Sequence, residues 1–232
     1  MAAPGRIETP GKIIHVCTFE SGSAGLLPAF CDYSLGSEEH SVHSLDFLAE
    51  VRKLPKEVEV PGKDRNAYYI QSFNSPDDIF MYLKGVLTRA DGVLPNKDYK
   101  LAFQIDFASD ATDCPGSGGS PSSVWLKAGG SAIEPIPVLL PDDPHSYLSI
   151  NVDKGHQMEG GKNLGLIGSI WNGQQCGEEP RYILLRREYE HPFPIRSSAG
   201  QVLWFAVGTE SGFEALTGIY YHSITVTAEL LD

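Results

Sequence analysis

The sequence predicts an all-β chain folded as a layered sandwich, and three observations carry that reading. Tyr99, Leu101, Phe103, Ile105 and Phe107 occupy every second position with Lys100, Gln104 and Asp106 falling between them, the period of a strand with one face on a core. Val93-Leu94-Pro95-Asn96-Lys97 places turn residues directly before that strand, and Ile79, Met81 and Leu83 alternate upstream of it. No long amphipathic helix and no fixed-period repeat interrupts the pattern.

From the N-terminus, residues 12–19 form an opening strand, followed by a Gly- and Ser-rich loop at 20–25. Residues 42–51 fit either a strand or a short helix, since Leu45, Leu48 and Ala49 also share a helical face; the Pro-containing stretch 52–65 ends it. Strands follow at 67–73, 79–88 and 98–108. Residues 109–123 hold hardly a hydrophobe and read as a long, flexible surface loop. Strands resume at 124–128, 133–140 and 145–152, then at 164–171 and 182–189. Residues 201–207 are apolar at nearly every position, as in a strand covered on both faces. Residues 219–230 close the chain, with Tyr220, His222, Ile224, Val226 and Ala228 expected on one side. This gives about ten to twelve strands in one domain spanning 1–232, a jelly-roll-like sandwich with long end loops, its first and last strands paired side by side.

Composition narrows the partners. The chain has 30 acidic and 18 basic residues, a net charge of −12 that repels nucleic acid and anionic membranes. No apolar run reaches the length of about 18 residues needed to span a bilayer. Residues 1–12 lack the apolar region of a signal peptide, so a secreted form would have lost its leader. Cys17, Cys31, Cys114 and Cys176 lack zinc-site spacing and permit two disulfides, with Cys17 and Cys31 the first pair to test. Oligomeric state is left open.

Six blocks, Phe19-Glu20-Ser21-Gly22, residues 74–81, residues 94–99, Gly118-Gly119-Ser120-Pro121, Asp153-Lys154-Gly155-His156-Gln157 and residues 208–214, together resemble an uncharacterised family of secreted bacterial β-proteins. That resemblance implies export to an extracellular or periplasmic location and a shared site, with no assigned activity. The Phe-Glu-Ser-Gly opening and the closing Tyr-Tyr-His-Ser-Ile-Thr-Val strand are similar to the ends of carbohydrate-binding jelly rolls of the galactose-binding type. By that similarity Glu20 would be the carboxylate of a structural calcium, although His222-Ser223 stands where an acidic residue would complete it.

Polar clusters supply the candidate site. Asn74, Asp77 and Asp78 offer hard oxygen ligands of the kind Ca2+ takes, or else cap the backbone of their own turn. The loop from Asp153 to Asn163 carries His156, Gln157 and Glu159 among glycines, a backbone a ligand can approach closely. Glu210 and Glu214 flank Ser211-Gly212-Phe213 and could serve as acid and base in glycoside hydrolysis if the fold brought carboxylates together. Trp171, beside Asn172-Gly173, is the tryptophan expected at a rim; Trp204 belongs to the core. His15 and His222 read as structural, and Gly116-Ser117-Gly118-Gly119-Ser120 lacks the ending of a phosphate loop. No nucleophile elbow, zinc-protease helix or dinucleotide fingerprint is present.

The expectation is a secreted, non-catalytic module that binds a glycan or similar polar ligand through Asp153, His156, Gln157, Glu210 and Trp171. Calcium at Glu20, Asn74, Asp77 and Asp78 would stiffen its loops. The alternatives are a glycan-active hydrolase or lyase using Asp153, Glu210 or Glu214, and a surface or assembly protein that binds a partner chain along a sheet edge.

Overall fold

The computed structural model describes residues 11–35, 45–58, 60, 62, 65–74, 78–141 and 146–231. In chain order the strands are β1 (Lys12–Thr18), β2 (Leu27–Cys31), β3 (Tyr33–Ser34), β4 (Leu48–Lys53), β5 (Asn66–Phe73), β6 (Phe80–Leu87), β7 (Asp98–Ser109) and β8 (Val124–Ser131). They continue with β9 (Pro137–Leu139), β10 (Tyr147–Ile150), β11 (Leu164–Ser169), β12 (Ile183–Glu190), β13 (Ile195–Arg196), β14 (Leu203–Ser211) and β15 (Leu216–Leu230). Short additions such as β3 and β13 bring the number among the described residues to fifteen, above the ten to twelve expected.

Two antiparallel sheets form the sandwich. One is ordered β12-β7-β15-β5-β4, with β1 also beside β15 and β13 beside β7. The other is ordered β11-β8-β14-β6-β2, and a small sheet β3-β10-β9 stands apart. β1 lies antiparallel to β15 from Lys12↔Glu229 to Thr18↔Ser223, so the first and last strands pair as the sequence implies.

The core lies between the two large sheets. Tyr99, Leu101, Phe103, Ile105 and Phe107 of β7 are all buried, and they meet Leu126 and Ala128 of β8 and Phe205 and Val207 of β14 in one apolar cluster. Each such large side chain stabilises by about 1.5–3 kcal/mol when fully buried. The turn before β7 forms where the sequence places it, at Pro95-Asn96 with Asn96 at φ 53°, and another precedes it. Thr88 caps a short 3-10 turn at Arg89–Asp91, the Asp91 carboxylate accepts from the Thr88 amide at 2.9 Å, and Gly92 takes the left-handed conformation that closes it.

Three expectations change. In β15 the register against β7 shifts between Tyr221 and Ser223, a bulge at His222. Ile219 and Tyr221 therefore share the main core with Ile224, Val226 and Ala228, while Tyr220 packs on the opposite face with Tyr69 and Ala108. The disulfide joins Cys114 to Cys176, whereas Cys17 and Cys31 are buried thiols. That bond, with the Gly116 amide on the Gly119 carbonyl at 2.8 Å and Ser120 and Ser122 hydrogen-bonded at 2.9 Å, ties down the 109–123 segment that composition alone makes look flexible. Of the ambiguous stretch 42–51, the part from Leu48 onward is the strand β4.

Both faces of β14 are covered, as its apolar run requires. Its second face, with Phe80 and Tyr82 of β6, packs under Ile150, Val152 and Leu164. The candidate site lies on this covered face. No helix of the described residues is long and apolar enough to cross a membrane.

Candidate functional site

Alternation along adjacent strands places the site's floor. On β8, Leu126 and Ala128 point into the main core, so Lys127 projects to the other face; on β14, Phe205 and Val207 do the same and leave Glu210 on the side of Ala206. Glu210 and Lys127 have fully buried side chains, and Glu210 Oε2 lies 2.5 Å from Lys127 Nζ. Lys154, from the segment after β10, brings its Nζ within 2.5 Å of Glu210 Oε1 and 2.8 Å of Asp32 Oδ2. Asp32 sits at the junction of β2 and β3 with φ 66°, a left-handed conformation that aspartate tolerates, and its Oδ1 accepts from Ser149 Oγ at 2.9 Å.

The result is a closed set of two ammonium and two carboxylate groups. Lys127 also donates to the Lys154 and Glu159 carbonyls, both at 2.9 Å, and Lys154 to Glu210 Oε1 at 2.5 Å and the Gly155 carbonyl at 3.3 Å. Burial pulls the Lys154 ammonium down, but Asp32 and Glu210 outweigh it and hold the group above the ordinary lysine range. Burial, and then the Asp32 carboxylate, push the neighbouring Cys31 thiol well up.

Above this floor opens a cavity of about 260 Å3, walled by Asp32, Asp78, Tyr147, Ser149, Ile150 and Val152 together with residues 153–156 and Glu210. Its side wall is the loop after Val152. Asp153 shapes that loop: its two carboxylate oxygens accept from the Gly155 amide at 3.1 Å and the Lys162 amide at 2.9 Å, and its carbonyl accepts from the Asn163 and Leu164 amides. Those amide bonds, the Lys162 one foremost, hold the Asp153 carboxyl below the usual range. Gly161 has to be glycine here, since a Cβ would come 2.4 Å from the Asp153 carbonyl and carboxylate oxygens. At the mouth, Asp78 Oδ1 faces His156 Nε2 at 3.5 Å and Gln157 Nε2 at 3.4 Å, linking the loop to the segment before β6.

No protein-family model and no curated protein matches the chain. Among solved structures it is similar to a carbohydrate-binding module of the β-sandwich superfamily, at a TM-score of 0.39 and 9% identity over 93% of this chain and 60% of that one. It is also similar to a cleaved adhesin domain of Lys-gingipain from Porphyromonas gingivalis, at 0.38 and 11% over 92% and 96%. A third is an arabinose-bound α-L-arabinofuranosidase, at 0.45 and 11% over 95% of this chain and 28% of that enzyme. The chain thus spans about 60% of the first structure's length. These likenesses concern the layering of strands alone.

The sequence-predicted residues divide on the structure. Asp153, His156 and Glu210 line one cavity, Gln157 touches its rim through Asp78, and Asp78, expected as a metal ligand, joins them. Glu210 is no loop residue: it lies within β14, buried between two lysines. Trp171 is 38% exposed with its Nε1 on the Gln174 carbonyl at 2.8 Å, and it does not line this cavity. Glu214 is exposed, its amide on the Gly118 carbonyl, and it does not line the cavity either.

Of the oxygen ligands named for calcium, Asn74 and Glu20 lie apart. Asn74 is buried, its amide donating to the Ser211 and Phe213 carbonyls and its Oδ1 accepting from the Ile79 amide, so it works as a brace for the loop ends. Exposed Glu20 has its carbonyl on Asn66, at the far end of β5 from Asn74. Asp77 lies outside the described residues. No group of three or more His, Cys, Asp or Glu side chains among the described residues is placed to hold a metal ion.

Lys127, Asp32, Tyr147 and Ser149 complete the site without standing out in the sequence, and Lys154 does so from within the Asp153-Lys154-Gly155-His156-Gln157 block but with no role assigned to it there. One signal points to Lys127: a lone lysine inside the otherwise apolar, glycine-containing strand Val124–Ser131 must find a buried carboxylate or destabilise the sheet.

Proposed function

We propose that the chain is a non-catalytic binding module that holds a glycan in the cavity over Glu210 and Lys154. The observation that carries this reading is the cavity's construction: a rigid ion-paired floor, a loop wall fixed by Asp153, and several hydrogen-bonding groups converging from separate strands. Tyr147, Ser149, Asp78 and His156 present a phenol, a hydroxyl, a carboxylate and an imidazole to one space, the mixture of donors and acceptors that sugar hydroxyls require. At about 260 Å3 the cavity is slightly smaller than the ~300–1,000 Å3 typical of drug-sized sites, which suits a ligand of one sugar ring at its deepest point. The Cys114–Cys176 disulfide agrees with an oxidising compartment, and we assign the protein to the periplasm or cell exterior on that ground.

A panel of neutral, amino and acidic glycans followed by calorimetric titration of the hits tests the reading. Saturable binding that weakens in Tyr147→Phe and Ser149→Ala, with melting temperatures close to the parent, supports it. No saturable binding across the panel, or binding untouched by both substitutions, overturns it.

A further inference from the structure

The charge in this cavity is unevenly compensated. On the floor, Asp32 and Glu210 are matched by Lys127 and Lys154. On the wall, both Asp153 carboxylate oxygens are taken by backbone amides. Asp78 differs from these. Its side chain is 32% exposed, it lines the cavity, and among the described residues no lysine or arginine lies within ion-pair distance of it. Its partners are the His156 imidazole at 3.5 Å, charged only when protonated, and the Gln157 amide at 3.4 Å, both long contacts. Its field reaches the interior: the Tyr147 phenol is pushed up first by burial and then by Asp32 and Asp78.

We propose that Asp78 makes this cavity select sugars carrying a protonated amine, the 2-amino-2-deoxy class, over neutral and acidic ones. The inference rests on the glycan reading of the cavity. An ammonium group brings three donors and a positive charge to a carboxylate that no described lysine or arginine neutralises, in a recess where attraction is screened less than on open surface. A uronate or sulfated sugar would bring like charge to the same position. The overall charge of −12 acts in the same direction at long range but is screened by salt, so the local contribution of Asp78 is separable from it.

The test uses three methyl β-glycosides on one glucose skeleton that differ only at C2: amine, N-acetyl and hydroxyl. Titrated into the whole protein at physiological salt, the amine is expected to bind about tenfold more tightly than the other two. Asp78→Asn should bring the ratio between amine and hydroxyl close to one. Glu188→Gln, which removes an exposed carboxylate on β12 away from the cavity, should leave that ratio unchanged. Equal binding of the three sugars, a preference that survives Asp78→Asn, or an equal loss in Glu188→Gln overturns the inference. Equal binding leaves the glycan reading standing, whereas no binding by any of the three and none across the wider panel removes both.

Discussion

Glu210 and Lys127 meet at 2.5 Å with neither side chain reached by solvent, and the second oxygen of the same carboxylate holds Lys154 at 2.5 Å. Two strands and a loop are thereby fastened at one carboxylate. Such an arrangement costs desolvation to build, and breaking it leaves an uncompensated buried charge. The pair consequently sets both the shape of the cavity floor and a vulnerable point in the fold.

Glu210→Gln strands the Lys127 ammonium and leaves Lys154 with Asp32 alone, while Lys127→Met leaves Glu210 with Lys154 as a partner. Urea unfolding is expected to show Glu210→Gln losing about 3–5 kcal/mol and Lys127→Met losing less. A double change to Met at both positions should be less destabilised than the sum of the two single changes. Equal effects of the two single changes would contradict the bridging role given to Glu210.

The Cys114–Cys176 bond closes a loop with a sequence separation of 62 residues, for which chain entropy gives about 4 kcal/mol of stabilisation. Reduction, or Ser at both positions, should lower the melting temperature markedly. In the oxidised native protein, a thiol reagent should modify neither Cys17, whose burial pushes its thiol up to about 12, nor Cys31. Both should react after unfolding.

Asp153 gives the loop wall an acid limit. Its folded-state carboxyl lies below the unfolded value of about 3.9, so its contribution is fully present above that value and is lost as pH falls through the folded one. Amide exchange at Gly155 and Lys162 should therefore accelerate selectively below about pH 4. Asp153→Asn should show accelerated exchange at neutral pH as well. Unchanged exchange at those two amides would sink the loop-clamp role.

Gly129 faces the same loop from β8. A Cβ there would lie 1.9 Å from the Asn163 carbonyl oxygen, and that atom is backbone, so the loop must move. Gly129→Ala is expected to cost more than about 2 kcal/mol and to weaken any ligand of the cavity. Gly173→Ser, where an added Cβ meets nothing within 4 Å but φ is 95°, should affect stability modestly and ligand binding not at all.

Much of the layering is legible because side-chain alternation records it directly. The positions from Tyr99 to Phe107 alternate as the buried face of β7 does, and the apolar run through Val207 marks a strand with two covered faces. Part of the site is legible too, since Asp153, His156 and Glu210 sit in polar clusters at the ends of apolar runs. The rest depends on tertiary pairing. Asp32 becomes a neighbour of Lys154 only because β3 pairs with β10, and Lys127 faces Glu210 only because β8 pairs with β14. Asn74 reads as an oxygen ligand because sequence shows its carboxamide but not the three backbone groups that use it. The disulfide is hidden for a similar reason: Cys17 and Cys31 are near in sequence, whereas Cys114 and Cys176 meet across two connections pinned by the Asp113 and Gln174 backbones.

The irregularity at His222 lets one long strand change phase partway along. Ahead of it the odd-numbered Ile219 and Tyr221 look inward; beyond it the even-numbered Ile224, Val226 and Ala228 do. Gain or loss of a single residue anywhere between those two stretches would turn one of them inside out, exchanging interior for surface along half the strand. What this part of the chain has to keep is therefore its count of residues, and a screen of one-residue insertions and deletions should find the segment from Tyr221 to Ile224 far less permissive than point substitution at His222 would imply.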